Sequence, residues 1–254
     1  MKSSGNSRLT ALPRFTPAEL HGVYQRLRDR FGHQRWWPAD TPFEVMIGAI
    51  LTQNTAWTNV EKAILNLKRA GRLSFRGINH MTRRQLARLI RPAGYFNIKA
   101  DRIKHFVRFL GREYGGNFRK MRREPVAVLR EKLLRVKGIG PETADSILLY
   151  ALGKRSFVID AYTRRIFSRH GLMAGDRDYH EWKDLFEKAL PPSRAVYNDF
   201  HAQIVYLAKH FCRTVPVCGG CPLQGLHRRK KMQNSFNILP LSRVRYNAGK
   251  VIHG

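Results

Sequence analysis

The segment Leu133-Leu134-Arg135-Val136-Lys137-Gly138-Ile139-Gly140-Pro141-Glu142-Thr143-Ala144 leaves the chain little choice of local structure. An apolar helical run meets a Gly-X-Gly turn, and Pro141 then opens a second helix. Glycine lets the turn tighten without a Cβ. The turn amides and the new helix N-terminus then point at one spot outside the chain, which suits a phosphate. An ordinary αα-hairpin with a glycine stop is the plain alternative. Charge bears on the choice. The chain of 254 residues has 47 Lys+Arg against 18 Asp+Glu, a net +29. Such a surplus repels itself in a compact state and calls for an anionic partner, nucleic acid first and an anionic membrane surface second. With 43% hydrophobic residues the chain can still build a core.

The rest of the sequence speaks for helices. Thr16-Pro17-Ala18-Glu19 is a capping signal, followed by the apolar positions Leu20, Tyr24, Leu27 and Phe31. The pattern predicts further helices over 42–52, 58–70, 82–90, 99–114, 125–135, 141–151, 160–170, 182–190 and 197–211. Phe157-Val158-Ile159 reads as a brief extended stretch. Alternation with a period of two is almost absent, so the expected class is all-α. No apolar run approaches the roughly 18 residues that span a bilayer, and the first residues have no apolar stretch of signal-peptide type. A cytoplasmic, nucleoid-associated protein is the expectation.

Asp160 stands 20 residues after Gly140, behind the apolar Phe157-Val158-Ile159 and ahead of Ala161-Tyr162-Thr163. Asp is among the best helix N-caps, and capping alone would explain it. A cap also keeps a carboxylate ionised and fixed. Such a group can stabilise a developing oxocarbenium ion or deprotonate water in glycosyl transfer.

Here the sequence resembles a known family. Leu134 to Ala144, followed at this spacing by Val158-Ile159-Asp160-Ala161-Tyr162, is similar to the helix-hairpin-helix/Gly-Pro-Asp superfamily of DNA glycosylases, in its endonuclease III branch. Phe43 to Thr55 and the segment Gly94-Tyr95-Phe96-Asn97-Ile98-Lys99-Ala100 resemble the same branch, and the similarity covers roughly residues 17–227. The resemblance implies an essential aspartate at Asp160. It implies that Gly138, Ile139 and Gly140 hold DNA phosphate through their amides, with Lys137 and Thr143 beside them. Gln53, next to Asn54, would fill the gap left by a flipped base. One position departs. Where bifunctional members carry the Schiff-base lysine, just before the Thr-Ala pair, this chain has Glu142. A carboxylate cannot form that imine, so the resemblance implies hydrolysis by water without strand cleavage.

The base to be removed is approached through Trp36-Trp37-Pro38. Adjacent indoles in a connector offer flat faces to an extruded base, and a cationic alkylated purine would add a cation–π attraction of about 1–2 kcal/mol. Equally, tryptophans fill cores. The WWP element and the missing lyase lysine together resemble the 3-methyladenine glycosylase subgroup. Its substrates have glycosidic bonds already weakened by charge, which agrees with one aspartate and no evident partner acid. Lys209 could approach the groove or be a solvated lysine; Tyr162 borders the pocket or packs a helix.

The cysteines fall in one window, Cys212-x5-Cys218-x2-Cys221, with His227 six residues further on. The branch that the chain resembles has four cysteines here on a [4Fe–4S] cluster. Three thiolates and an imidazole also suit zinc, and a lost metal site is the third possibility.

The expected architecture is two helical lobes flanking a DNA-binding groove. Residues 42–153 would form a six-helix barrel with the hairpin. Residues 1–41 would pack with a second lobe formed by 154–227, which carries the Cys-rich loop, and 228–254 would be a basic tail. The expected function is that of a monomeric, monofunctional glycosylase removing alkylated bases from double-stranded DNA. The alternatives are a mismatch thymine or uracil glycosylase, a bifunctional glycosylase/lyase, and a non-enzymatic DNA-binding protein.

Overall fold

The computed structural model describes residues 15–226 apart from Arg35 and Ala174. Among these residues the protein is all-helical, without strands. Helix α1 (Pro17–Phe31) begins at the predicted capping box. Glu19 N donates to Thr16 Oγ1 at 3.2 Å, and Thr16 N donates to Glu19 Oε2 at 2.6 Å. Then follow α2 (Pro42–Leu51), α3 (Trp57–Arg69), α4 (Phe75–His80), α5 (Arg83–Leu89), α6 (Phe96–Tyr114), α7 (Phe118–Arg123), α8 (Val126–Leu134) and α9 (Pro141–Ser146). The last three are α10 (Ala161–Arg169), α11 (Tyr179–Ala189) and α12 (Arg194–His210). No described helix is long and apolar enough to cross a membrane.

Two apolar cores make two lobes. The first gathers side chains from Phe43 to Leu152 around α2, which is buried from Phe43 to Leu51. Complete burial of one such Leu, Ile or Met is worth about 1.5–3 kcal/mol. The second core joins Leu20, Val23, Tyr24 and Leu27 of α1 to Phe157, Phe167, Trp182, Phe186 and Phe200. Chain order alone would leave α1 far from α12. Asp199, fully buried, ties them by accepting from Tyr24 Oη at 2.8 Å and from Gln34 N at 2.7 Å.

Several helices differ from the sequence pattern. Helices α11 and α12 start about a turn earlier than predicted, at caps Asp178 and Ser193, because their first turns hold no fully buried residue and the buried face begins only at Trp182 and Tyr197. Helix α6 likewise starts at Phe96 rather than Lys99. The short α4 and α7 bury one residue each, Ile78 and Met121, which is too little to make a period visible. Residues Ile147–Ala151 continue α9 as a π-helical turn, not α-helix as the pattern predicts. The slip divides their side chains: Ile147, Leu148 and Leu152 enter the first core, and Leu149 and Tyr150 pack on the second. Phe157–Ile159 is extended and buried, with Phe157 N donating to Glu187 Oε1 at 2.7 Å.

Polar groups bridge the lobes beneath the hairpin. Arg130 of α8 donates to both carboxylate oxygens of the fully buried Asp145, at 2.9 and 3.1 Å. Ser156 Oγ donates to the same carboxylate at 2.6 Å, and Lys183 of α11 approaches it to 3.6 Å. A buried charge needs such partners, since leaving it unpaired costs several kcal/mol.

Candidate active site

The hairpin forms as the glycines require. Gly138 has φ +93°, and a Cβ there would collide with the Arg102 side chain. Val136 and Ile139 are buried, anchoring the turn. Lys137 and Gly140 are exposed. Gly140 is different from Gly138: its φ is −91°, and a Cβ would meet nothing within 4 Å. The fold therefore demands glycine at 138 and leaves 140 open towards solvent.

Gln53 is held against this turn. Its Nε2 donates to Gly138 O at 3.1 Å and to Thr143 Oγ1 at 2.9 Å, and Arg102 donates to its Oε1. Asn54 beside it is exposed in the left-handed region, φ +53°. The loop is fastened from below by Lys99, a residue that sequence reasoning placed in a motif without a task. Lys99 is buried, and its ammonium donates at 2.8 Å to Leu51 O, Thr55 Oγ1 and Ala93 O. Burial lowers its pKa to about 8, with the charge of Arg102 adding to the effect. At the far side of this clamp Tyr95 is 68% exposed at φ +44° and Ile98 is 51% exposed. No sequence signal marked these two as surface residues.

Asp160 caps α10. Its Oδ1 accepts from Thr163 N at 2.7 Å and Thr163 Oγ1 at 2.8 Å. Its Oδ2 lies 3.6 Å from Nε2 of the buried His201. On the other side, Nδ1 of His201 meets Tyr150 Oη at 2.5 Å. Glu142 also senses Asp160. Its side chain is exposed to solvent at the hairpin, yet the protein around it and the negative charge of Asp160 push its pKa up to about 7, against a smaller lowering by Arg164. The residue that replaces lysine is thus a carboxyl within electrostatic reach of Asp160.

The indoles assemble as a group. Trp36 and Trp37 are half-buried, with ring centroids 5.5 Å apart, and Trp57 of α3 joins them at 5.8 and 5.1 Å. Tyr150 stands 5.4 Å from Trp37, so the aromatic group runs to His201 and Asp160. Trp57, Tyr150 and His201 were missed from sequence, because nothing local distinguishes them from core residues. Gly48 makes room for Trp37, whose ring would lie 3.3 Å from a Cβ there. Trp37, Pro38, Gly48, Trp57 and Glu61 help line a cavity of about 290 Å³; Asp160 is not among its walls. Lys209 Nζ lies over the Trp36 ring at 5.8 Å, and burial lowers its pKa against the pull of Glu61 and Asp160. Tyr162 packs against the second core with the Arg165 guanidinium 5.0 Å over its ring.

In the cysteine loop Cys212 is buried, Cys221 half-buried and Cys218 exposed. Burial raises the Cys221 thiol pKa, and the neighbouring Cys212 and Cys218 add to it. Arg169 clasps the loop by donating to Arg213 O and, at 2.9 Å, to Thr214 O. His227 lies outside the described residues. Among those described, no three His, Cys, Asp or Glu residues converge to hold a metal.

A Gly-X-Gly hairpin, a group of indoles and a capped carboxylate in an all-helical fold are the features of one class, the helical DNA glycosylases. The chain belongs to the HhH-GPD superfamily of base excision DNA repair proteins, whose pattern matches residues 47–192, and to its endonuclease III-like branch. It is 47% identical over 207 residues to a provisionally assigned DNA repair glycosylase of Methanocaldococcus jannaschii, covering 81% of this chain and 94% of that protein. A 3-methyladenine DNA glycosylase of H. pylori, solved bound to 1,N6-ethenoadenine, superposes with TM-score 0.67 at 29% identity, over 77% of this chain and 98% of that one. A non-covalent endonuclease III–DNA complex shares the fold with TM-score 0.72 at 22% identity, over 84% and 96% of the two chains. The protein is a DNA glycosylase of base excision repair.

Proposed function

We propose that this glycosylase is monofunctional and releases alkylated purines such as 3-methyladenine from double-stranded DNA, acting as a monomer. The observation that carries the reading is that Glu142, a carboxyl and not an amine, stands at the hairpin position of the lyase lysine, within electrostatic reach of Asp160. Water is then the nucleophile: Asp160 stabilises the developing oxocarbenium ion and positions or deprotonates the water. The indoles Trp36, Trp37 and Trp57 would take the extruded base, with Pro38 at the edge. A cationic base between them gains about 0.5–2 kcal/mol. Lys209 overlies the Trp36 ring at 5.8 Å, at the edge of the same aromatic group. The likeness to the H. pylori protein, which was solved with an alkylated adenine, supports the choice of base.

The duplex would be gripped by hairpin amides from Gly138 to Gly140, with Lys137, Thr143, Gln53 and Asn54 around them, and by the salt-sensitive attraction of a +29 chain. In this reading residues 42–153 are the barrel, and 1–41 join 154–227 in the second lobe. The cysteine loop, with His227, is proposed as a structural site for an iron–sulfur cluster or zinc; iron and zinc analysis of the purified protein decides it.

The test is incubation with methylated duplex DNA, following free base by chromatography and strand integrity on a denaturing gel. Release of 3-methyladenine with strands intact is expected. Nicking, together with an adduct trapped by borohydride, would overturn the monofunctional reading. One observation favours that second reading: Lys209 is an amine of lowered pKa near Asp160. Loss of the trapped adduct in Lys209→Met would then establish it as a lyase. A parallel panel of uracil, G·T and oxidised duplexes separates alkylated bases from the other substrates.

A further inference from the structure

Asp160 has one oxygen committed and one available. Oδ1 accepts two hydrogen bonds from Thr163, so Oδ2 is the atom left for chemistry. Oδ2 lies 3.6 Å from His201 Nε2, longer than a hydrogen bond. That nitrogen is buried and has no hydrogen-bond partner in the free protein. A buried ring nitrogen without a partner is rare, and this one faces the oxygen on which the reaction depends.

The other face of the imidazole decides which tautomer it adopts. Tyr150 Oη lies 2.5 Å from His201 Nδ1. The Tyr150 hydroxyl is buried and faces the negative charges of Asp160 and Glu142, which keep its proton on well above the ordinary phenol range. When that hydroxyl donates to Nδ1, the ring proton sits on Nε2, aimed at Asp160. Burial also lowers the His201 pKa, against the pull of Asp160, so the neutral ring is favoured. The charged groups around the dyad are Asp160 at the cap of α10, Glu142 on α9 and Lys209 further along α12, which interacts with Asp160. On the α1 side Tyr24 and Asp199 are paired with each other.

We infer that His201 is a positioning residue for Asp160: its Nε2–H closes onto Oδ2 when a nucleotide fills the groove, and Tyr150, whose ring packs on Trp37, locks the tautomer and links that closure to the base pocket. The inference rests on Asp160 being the working carboxylate. Active-site hydrogen bonds are commonly long in the free enzyme and tighten in the complex.

The test has two independent arms. Long-range ¹H–¹⁵N spectra of the ring-labelled protein should show His201 as the neutral Nε2–H tautomer, and Tyr150→Phe should abolish that preference. An Nδ1–H tautomer in the wild type overturns the inference, whatever the substrate. In single-turnover assays on methylated duplex DNA, Tyr150→Phe should fall about tenfold at neutral pH, the worth of one lost hydrogen bond. It should recover as the pH drops and protonation returns a hydrogen to Nε2. A purely packing role for Tyr150 would leave the pH profile unmoved. His201→Phe should be slow and His201→Gln, which keeps an N–H donor, should regain part of the loss; circular dichroism checks folding of each. If Asp160→Asn still releases base at the normal rate, the underlying reading of Asp160 fails. If Asp160→Asn is inactive but Tyr150→Phe keeps the wild-type rate and profile, the inference alone fails.

Discussion

Asp160 and Thr163 share two hydrogen bonds, 2.7 Å from the Thr163 amide and 2.8 Å from its hydroxyl, both to Oδ1. The cap and the reaction thus use different oxygens of one side chain. Asparagine caps as well as aspartate does, so Asp160→Asn should fold with nearly unchanged thermal stability and bind DNA. It should lose base release by about 10²–10⁴-fold, the range for a positioned acid–base group. Rate, melting temperature and duplex affinity on one preparation check this; an unchanged rate would remove Asp160 from the mechanism.

Glu142 should make DNA binding depend on pH. Its folded pKa is raised to about 7, so the folded protein holds this proton more tightly than the unfolded chain. The sign follows: the contribution to stability is present below the ordinary Glu range and is lost as pH rises through about 7. Over the same interval a carboxylate appears where a phosphate approaches. Duplex affinity should fall a few-fold between about pH 6 and 8, beyond any general drift, and Glu142→Gln should flatten that fall. Fluorescence anisotropy at fixed salt measures it, and an equal slope in the variant would assign the titration to another group.

The two hairpin glycines should separate folding from binding. Gly138→Ala forces a positive φ and a clash with Arg102, costing about 1–3 kcal/mol of stability as well as affinity. Gly140→Ala meets no neighbour and an ordinary φ, so its melting temperature should hold or rise slightly. Its DNA affinity should drop, because the new methyl group lies on the open face of the turn. Calorimetry and anisotropy report the two effects, and wild-type affinity in Gly140→Ala would move the phosphate site elsewhere.

Lys99→Met should act at a distance. It leaves the carbonyl of Leu51 without its ammonium donor, at about 1–3 kcal/mol for a buried group left unpaired, and the carbonyl of Ala93 with Thr55 Oγ1 alone. It also frees the loop that carries Gln53. A lower melting temperature with a faster DNA off-rate is expected; reduced stability with unchanged off-rate would confine Lys99 to folding.

Much of this protein was legible because its signals are local. The caps at Thr16, Thr82 and Asp160 were readable, since a capping side chain reaches only its own first turn. The turn at Gly138 was readable because a positive φ selects glycine. The identity of Glu142 needed only its place in the motif. The first turns of α11 and α12, and the short α4 and α7, were not readable, because apolar periodicity is blind to turns that bury little.

By itself, then, the sequence determined the all-α class, the hairpin, the capped aspartate and the absence of a lysine at 142. Tertiary structure alone decided what surrounds that aspartate. Tyr150 and His201 meet from positions 51 residues apart, Trp57 joins Trp36 and Trp37 from another helix, and Glu142 comes within electrostatic reach of Asp160. Caps and turns are set by dihedral angles and neighbours along the chain. A shifted pKa or an aromatic pocket is set by burial and by which helices pack together, and no local pattern records that.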